Sequence, residues 1–171
     1  LVPTRLHTIG ALWKQRISHA ELTDRIALLH QPWHAAIAAT LADARQRFGG
    51  ALLIDLHSMP RQPGGRPEFI VGDRHGATAS GELVDHMLAL AEGEGLKVAR
   101  NAPYAGAYTV QRHGRAGSGI EAVQIEIDRS LYLDTHDRPN ARAADLARLI
   151  LAIAMLAEET IHGTRWPIAA E

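Results

Sequence analysis

One apolar stretch that ends in polar residues constrains the fold more than any other part of the chain. Gly49 and Gly50 precede an apolar run at residues 51–54, and the segment continues as Asp55-Leu56-His57-Ser58-Met59 up to Pro60. A short apolar run between Gly and Pro is typical of a β-strand that is buried on both faces. Strands of this kind form α/β sheets, in which chemically active groups gather at the carboxyl ends of the strands.

Asp55 and His57 lie at this predicted strand end, two positions apart. An extended backbone therefore places both side chains on one face. A carboxylate next to an imidazole can bind a metal together with it or can orient its ring. A strand end whose histidine only satisfies local hydrogen bonds would have the same sequence, so spacing alone leaves both interpretations open.

The composition narrows the classes of function. The chain has 171 residues and a net charge of -1. It therefore lacks the excess of positive charge that would attract nucleic acid or an anionic membrane surface. It has no Cys, so disulfides and thiolate metal sites are excluded, and the absence of Cys fits a cytoplasmic location. The longest apolar run, at residues 149–157, is too short to span a bilayer. We expect no nucleic-acid partner and no membrane partner.

Helical and strand patterns alternate along the chain, which predicts a single α/β domain over residues 1–171. Ser18 and Glu21 have the spacing of a helix start. Pro32 predicts an interruption of that helix, and a second helix with one apolar face, from Trp33 to Phe48, follows it. Later elements are predicted as strands at residues 68–71, 96–100, 107–111 and 123–127, and as helices that begin after Ser80 and after Pro139.

The strand at residues 123–127 has two different faces. Its apolar residues alternate with polar ones, namely Gln124, Glu126 and Asp128. We expect the apolar face to contact the helix layer and the polar face to line a cleft, because unpartnered buried polar groups are costly. A carboxylate in a cleft can act as a general base. A Glu126 that faces solvent and pairs with an arginine is the alternative.

Arginines occur in two Gly-rich segments. Arg74 lies in Gly72-Asp73-Arg74-His75-Gly76, while Arg112 and Arg115 flank His113 and Gly114. A guanidinium group can bind a carboxylate through two parallel hydrogen bonds. Long Gly- and Pro-rich loops inside a compact domain more often have a function than serve only as connections. These arginines are therefore candidates for binding a carboxylate, and solvated surface charge is the alternative.

Four motifs follow one another along the chain: Asp-Leu-His-Ser-Met-Pro at 55–60, Gly-Asp-Arg-His-Gly at 72–76, Asn-Ala-Pro-Tyr-Ala-Gly at 101–106 and Gln-Ile-Glu-Ile-Asp-Arg-Ser-Leu-Tyr-Leu-Asp at 124–134. Together they resemble the N-formylglutamate amidohydrolase family, also called N-formylglutamate deformylase, and the resemblance covers nearly the whole chain. More distantly, Asp-Leu-His and Ile-Glu-Ile resemble the metal-binding strand and the catalytic strand of aspartoacylase and the zinc carboxypeptidases.

The resemblance implies a three-layer α/β/α fold with a mixed, largely parallel sheet, and zinc or another divalent metal as cofactor. It implies hydrolysis of a small-molecule N-acyl amino acid, N-formyl-L-glutamate, to formate and L-glutamate in histidine degradation. On this basis His57 is a metal ligand and Glu126 is the general base. The resemblance also implies that Asp55 and Ser58 support the metal site. The residues that it implies to bind substrate are Arg74, Asn101, Tyr104 and Arg112.

One part of the family pattern is not found. Proteins of this family have a Pro-His-Ser-Gly type motif and a further acidic residue near the N-terminus, which supply the other metal ligands. No such motif precedes Ala51, and His7 and His19 lack that context. Since a catalytic zinc needs about three protein ligands, we expect an N-terminally incomplete chain with an incomplete metal site. A non-catalytic domain that binds an amino acid or another anion is the alternative function.

Overall fold

The structure, a computed structural model, describes residues 5–6, 10–13, 15–61 and 66–163, with side chains at 10–13, 15–61 and 66–156. The chain divides into two compact units, residues 1–39 and 40–171. None of the helices in the described part is both long enough and apolar enough to cross a membrane.

The first unit is mainly helical. Strands β1 (Arg5–Leu6) and β2 (Gly10–Ala11) pair antiparallel, and helix α1 covers His19–Arg25. Ser18 caps α1 as its spacing predicted, because its Oγ accepts a hydrogen bond from the backbone N–H of Glu21 at 3.1 Å.

Pro32 does not interrupt the helical path, so that prediction is wrong. A π-helical turn at Ile26–His30 follows α1 directly and leads into α2 (Gln31–Phe48). Pro32 lies just after the π-helical turn, in which the Gln31 N–H bonds to the Ile26 carbonyl five residues back. Because a π-helical turn is wider than an α-helical one, it lets the path continue past a proline that has no N–H of its own. The predicted apolar face of α2 is also only partly buried: Leu41 is buried, whereas Trp33 and Phe48 are exposed by 63% and 52%.

The second unit is built on a four-stranded sheet with the strand order β3-β6-β4-β5. Strand β3 is parallel to β6, and β4 is parallel to β5. The central pair, β4 and β6, is antiparallel. The sheet is therefore mixed and largely parallel, as predicted. The strands cover Ala51–Met59 (β3), Phe69–Gly72 (β4), Val98–Arg100 (β5) and Ile120–Asp128 (β6).

Helices cover both faces of this sheet and complete the three layers. Helices α3 (Gly81–Gly93) and α5 (Ala143–Gly163) pack on one face. The short helix α4 (Tyr108–His113) lies on the other face. Burial of each large apolar side chain stabilises the fold by about 1.5–3 kcal/mol. The core between the sheet and the α3–α5 layer includes Phe69, Val71, Leu83, Val84, Met87, Val123, Ile125, Ile127, Leu149 and Ile153.

Strand β3 is not buried on both faces, which corrects the prediction from its apolar run. In the described part of the chain it forms one edge of the sheet, and Leu56 is 53% exposed. Leu52 and Ile54 pack against the core and are only partly buried. The apolar run therefore predicted the strand correctly but not its place in the sheet, because strand order depends on pairing with residues far away in the sequence.

Residues 107–111 do not form the predicted strand: Ala107 is the N-cap of α4, and residues 108–111 lie within that helix. The backbone N–H groups of Gln111 and Gly114 bond to the carbonyls of Ala107 and Val110, so the segment satisfies its own polar groups. The β-branched residues Thr109 and Val110 favour a strand locally. Val110 is completely buried in the helical conformation, and this burial outweighs the local preference.

Candidate active site

The parallel register of β3 and β6 gathers four polar side chains on one face of the sheet. Asp55 pairs with Gln124, and His57 pairs with Glu126. Because side chains alternate along a strand, all four project to the side opposite the α3–α5 layer. The alternate residues of β6 lie in the core. The polar and apolar faces predicted for this strand are therefore separated as expected.

His57 lies between two carboxylates. Its Nε2 is 2.9 Å from Asp55 Oδ1, and its Nδ1 is 3.9 Å from Glu126 Oε1. A carboxylate only accepts hydrogen bonds, so the bond to Asp55 assigns the ring proton to Nε2. In a neutral ring Nδ1 then carries the lone pair, and this nitrogen lies 3.9 Å from Glu126 Oε1. An aspartate that fixes the tautomer and the ring orientation in this way is common behind metal-binding histidines.

Glu126 is buried and has its partners within the same sheet. Its exposed fraction is 7%. Gln124 Nε2 donates a hydrogen bond to Glu126 Oε1 at 2.7 Å, and Gln124 Oε1 accepts one from the backbone N–H of Ala107 at 2.7 Å. Glu126 therefore does not face solvent, and among the described residues no arginine pairs with it. The alternation in β6 placed Gln124 on this face, but sequence reasoning assigned it no role.

The described residues do not form a complete zinc site. They contain no group of three or more His, Asp or Glu side chains arranged to hold a metal ion. His57 offers one nitrogen with a lone pair, and its other nitrogen is bonded to Asp55. A catalytic zinc is generally held by three protein ligands. Within these ranges His57 is a single candidate ligand, with the Glu126 carboxylate close to it.

Ser58 lies apart from the His57–Glu126 pair, whereas the backbone of Tyr104 lies on the polar face of the sheet, over the neighbouring strand β4. Alternation along β3 turns Ser58 to the other face, where its Oγ accepts a hydrogen bond from Arg129 Nε at 3.2 Å. The backbone carbonyl of Tyr104 lies over β4: a Cβ added at Gly72 would be 2.9 Å from it. Of the predicted site residues, the structure thus brings together Asp55, His57 and Glu126.

Asn101 belongs to a buried network at the end of β4. Asp73 is completely buried, and it accepts hydrogen bonds from Arg100 Nη2 and Asn101 Nδ2, both at 2.6 Å. Burial alone would raise the pKa of Asp73, but the bonds from Arg100 and Asn101 and the charge of Arg100 outweigh it and lower the pKa. The carboxylate is therefore held in its charged form.

The same network shapes the loop that carries Arg74. Asn101 Oδ1 accepts hydrogen bonds from the backbone N–H groups of Asp73 and His75, at 3.1 and 3.3 Å. The φ angles of Arg74, His75 and Gly76 are 54°, 58° and 85°, so three successive residues have a left-handed backbone conformation. Only glycine adopts this conformation easily. At His75 it is stabilised by the bond from the backbone N–H to Asn101. At Arg74 it is stabilised by the bond from the backbone N–H to the Ala105 carbonyl at 2.8 Å. Asn101 thus maintains the loop through its side-chain amide.

Three arginines line an open cleft of about 590 Å³ beside α4. They are Arg74, Arg112 and Arg115, and the described lining of the cleft includes no Asp or Glu. Arg112 Nη1 donates to the Tyr108 hydroxyl at 2.7 Å, and Arg74 Nη1 donates to the Gly106 carbonyl at 3.2 Å. Burial, and next the positive charge of Arg112, lower the pKa of His113 at the cleft wall. A cleft with this excess of positive charge suits an anionic ligand.

A family model described as N-formylglutamate amidohydrolase matches residues 1–133. The chain belongs to the N-formylglutamate amidohydrolase family. Among curated relatives, it is 33% identical over 134 residues to an N-formylglutamate deformylase of Pseudomonas aeruginosa, a match that covers 75% of this chain and 50% of the relative. It is 28% identical over 156 residues to an N-formylglutamate deformylase of Pseudomonas putida, covering 86% of this chain and 58% of that protein.

Solved structures agree with this assignment. The crystal structure of an N-formylglutamate amidohydrolase from Ralstonia eutropha superposes with a TM-score of 0.79 at 30% identity, covering 92% of this chain and 60% of that one. A protein of Agrobacterium tumefaciens has a TM-score of 0.66 at 24% identity and supports the fold alone. The chain spans between 50% and 60% of the length of these family relatives.

Proposed function

We propose that this chain takes part in the hydrolysis of N-formyl-L-glutamate to formate and L-glutamate, a final step of histidine degradation. Membership of the N-formylglutamate amidohydrolase family supports an amidohydrolase of this substrate class. The observation that supports the proposal most directly is the buried Glu126 carboxylate, whose Oε1 lies 3.9 Å from Nδ1 of His57. No other described carboxylate combines this burial with a neighbouring imidazole on the polar face of the sheet.

In this proposal Glu126 is the general base. It takes a proton from the attacking water, whose oxygen adds to the formyl carbon. The bond between that carbon and the glutamate nitrogen then breaks, and Glu126 returns the proton to the leaving nitrogen. Asp55 keeps the His57 ring in one tautomer and orientation.

We further propose that the cofactor is zinc or another divalent ion, with His57 as one ligand through Nδ1. Nitrogen and oxygen ligands are compatible with zinc. The remaining ligands would come from outside the described residues, since those residues contain no group of three.

The substrate carboxylates are proposed to bind the arginines of the cleft. Arg74 and Arg112 both line it, and a dianionic substrate would neutralise the positive charge collected there. Asn101 contributes indirectly, because it maintains the loop of Arg74.

The substitution Glu126→Gln tests the role of the base, since it keeps the shape and removes the proton acceptor. We expect kcat for formate release, measured with added zinc, to fall by about 10²–10⁴-fold, with an unchanged circular dichroism spectrum and unchanged zinc binding. Glu92→Gln on the exposed side of α3 is the matched control and should keep normal turnover. Near-normal turnover of the Glu126→Gln protein would remove this residue from the mechanism.

Binding without turnover is the second candidate function, and the arginine-lined cleft favours it because this cleft does not depend on a metal. Calorimetric titration of the 171-residue chain with N-formyl-L-glutamate distinguishes the two. Saturable binding that releases no formate, even with added zinc, would support the binding domain. Formate release that requires Glu126 would support the hydrolase.

A further inference from the structure

We infer that Gln124 is a positioning residue that holds the general base and couples it to the helix beside the arginine cleft. The inference rests on the proposed function of Glu126. The main observation behind this inference is a pair of hydrogen bonds, each 2.7 Å long, that share the Gln124 side-chain amide. One runs from the Ala107 N–H to Gln124, and the other runs from Gln124 to the Glu126 carboxylate.

The sheet register explains why this side chain can reach both partners. Gln124 lies beside Gly72 of the neighbouring strand β4. A Cβ at Gly72 would be 2.6 Å from Gly106 N and 2.7 Å from Ala105 C, so the lack of a side chain there lets the 104–106 loop lie directly on the sheet. The next backbone N–H in that loop, of Ala107, is then within hydrogen-bond distance of Gln124.

The partners also fix the orientation of the amide. The Ala107 N–H can only donate, so the Gln124 atom that faces it is the carbonyl oxygen Oε1. The Nε2 group is thereby directed at Glu126, where it donates to Oε1 of the carboxylate. A flipped amide would place two donors against each other and two acceptors against each other. The helix N-terminus therefore determines which end of Gln124 the base contacts.

Burial makes this arrangement specific. Gln124 and Glu126 are only 5% and 7% exposed, so water cannot easily replace a lost partner. Gln124 occupies Oε1 of Glu126, whereas Oε2 has no hydrogen-bond partner in the described part of the chain. One oxygen is thus held in place while the other remains available to take a proton. Ala107 is the N-cap of α4, which carries Arg112 of the cleft, so one amide connects the base to the proposed carboxylate-binding wall.

The substitution Gln124→Met keeps the length of the side chain and removes both hydrogen bonds. We expect kcat to fall by about 10- to 100-fold, the size of the effect when a residue that supports a metal ligand through a hydrogen bond is lost, with a much smaller change in KM. Gln46→Met at an exposed position of α2 is the matched control and should have normal kinetics. Normal kcat in the Gln124→Met protein, together with a strong loss in Glu126→Gln, would overturn the inference and leave the proposed function intact.

A double-mutant cycle shows whether Gln124 acts through Glu126. Adding Gln124→Met to the Glu126→Gln protein should lower kcat by almost nothing further, because the base that Gln124 positions is already absent. Fully additive losses would overturn the inference, since they would mean that Gln124 affects turnover independently of Glu126.

A measurement that needs no turnover separates the inference from the proposed function. By NMR of the 171-residue chain, the Ala107 amide should be protected from hydrogen exchange. Protection should be lost in Gln124→Met and retained in Gln124→Glu, which preserves the acceptor for Ala107. Equal protection in all three proteins would contradict the coupling, whatever the activity of Glu126 proves to be.

Discussion

Glu126 and Asp128 are two residues apart on the same strand, yet their surroundings give them different roles. Asp128 Oδ1 accepts hydrogen bonds from the backbone N–H and the hydroxyl of Ser130, both at 2.7 Å, and so caps the turn that follows β6. Glu126 instead faces His57 across the β3–β6 pair. Both residues are acidic and lie on the polar face of the same strand, so the sequence pattern alone could not tell the capping carboxylate from the proposed base.

Arg74→Ala and Arg112→Ala should each raise KM for N-formyl-L-glutamate by about 10- to 100-fold, the value of one hydrogen bond to a charged group. The effect on kcat should be smaller, because a substrate carboxylate is bound in the ground state and the transition state alike. Steady-state assays of formate release measure this. Arg148→Ala on the exposed surface of α5 is the matched control. Unchanged KM in both cleft variants would show that these arginines are ordinary surface charges.

The elements that were predicted correctly are those that a local pattern determines. Alternation predicted β6, and the helical spacing of Leu83 and Met87 predicted α3. Two features depend on distant residues and were missed: the edge position of β3 and the helical conformation of residues 108–113. The bonds from Asn101 to the Arg74 loop were missed for the same reason, since 26 to 28 residues separate the partners. The continuity of the helix through Pro32 was missed for a local reason, because Pro32 lies just after a π-helical turn.

The turn between β4 and α3 should depend on the charge of Asp73. Its pKa in the folded chain lies below the ordinary value of 3.8. The carboxylate therefore stabilises the fold above about pH 4, and this contribution is lost as the pH falls through the folded pKa. Asp73→Asn should lower the free energy of unfolding at neutral pH by about 3 kcal/mol, because it leaves Arg100 without its buried partner.

Urea unfolding followed by circular dichroism, at neutral pH and at about pH 3, measures this effect. The difference in stability between the two pH values should be smaller in Asp73→Asn than in the unmodified chain. Asp24→Asn, at an exposed position of α1, should leave that difference unchanged. A pH dependence that stays the same in Asp73→Asn would show that another group is responsible.

At the scale of the whole molecule, the proposed chemistry is divided between two places in the second unit. The His57–Glu126 pair lies on the sheet, and the described residues that line the arginine cleft include neither of them. Helix α4 connects the two, since Ala107 at its start bonds to Gln124 and Arg112 near its end lines the cleft. One short helix therefore connects the proposed base to the proposed anion-binding surface, in a chain that spans only 50% to 60% of its relatives' length.

Metal binding tests how much of the active centre this chain contains. With His57 as the single ligand that we can name, zinc should be bound weakly, because the affinity of a catalytic site depends on about three ligands acting together. Elemental analysis of the purified and dialysed 171-residue chain should therefore find much less than one zinc per chain. Any residual binding should fall further in His57→Ala and should persist in His86→Ala, at an exposed position of α3. One tightly held zinc per chain that His57→Ala abolishes would contradict this, and would assign the other ligands to residues of this chain outside the described ranges.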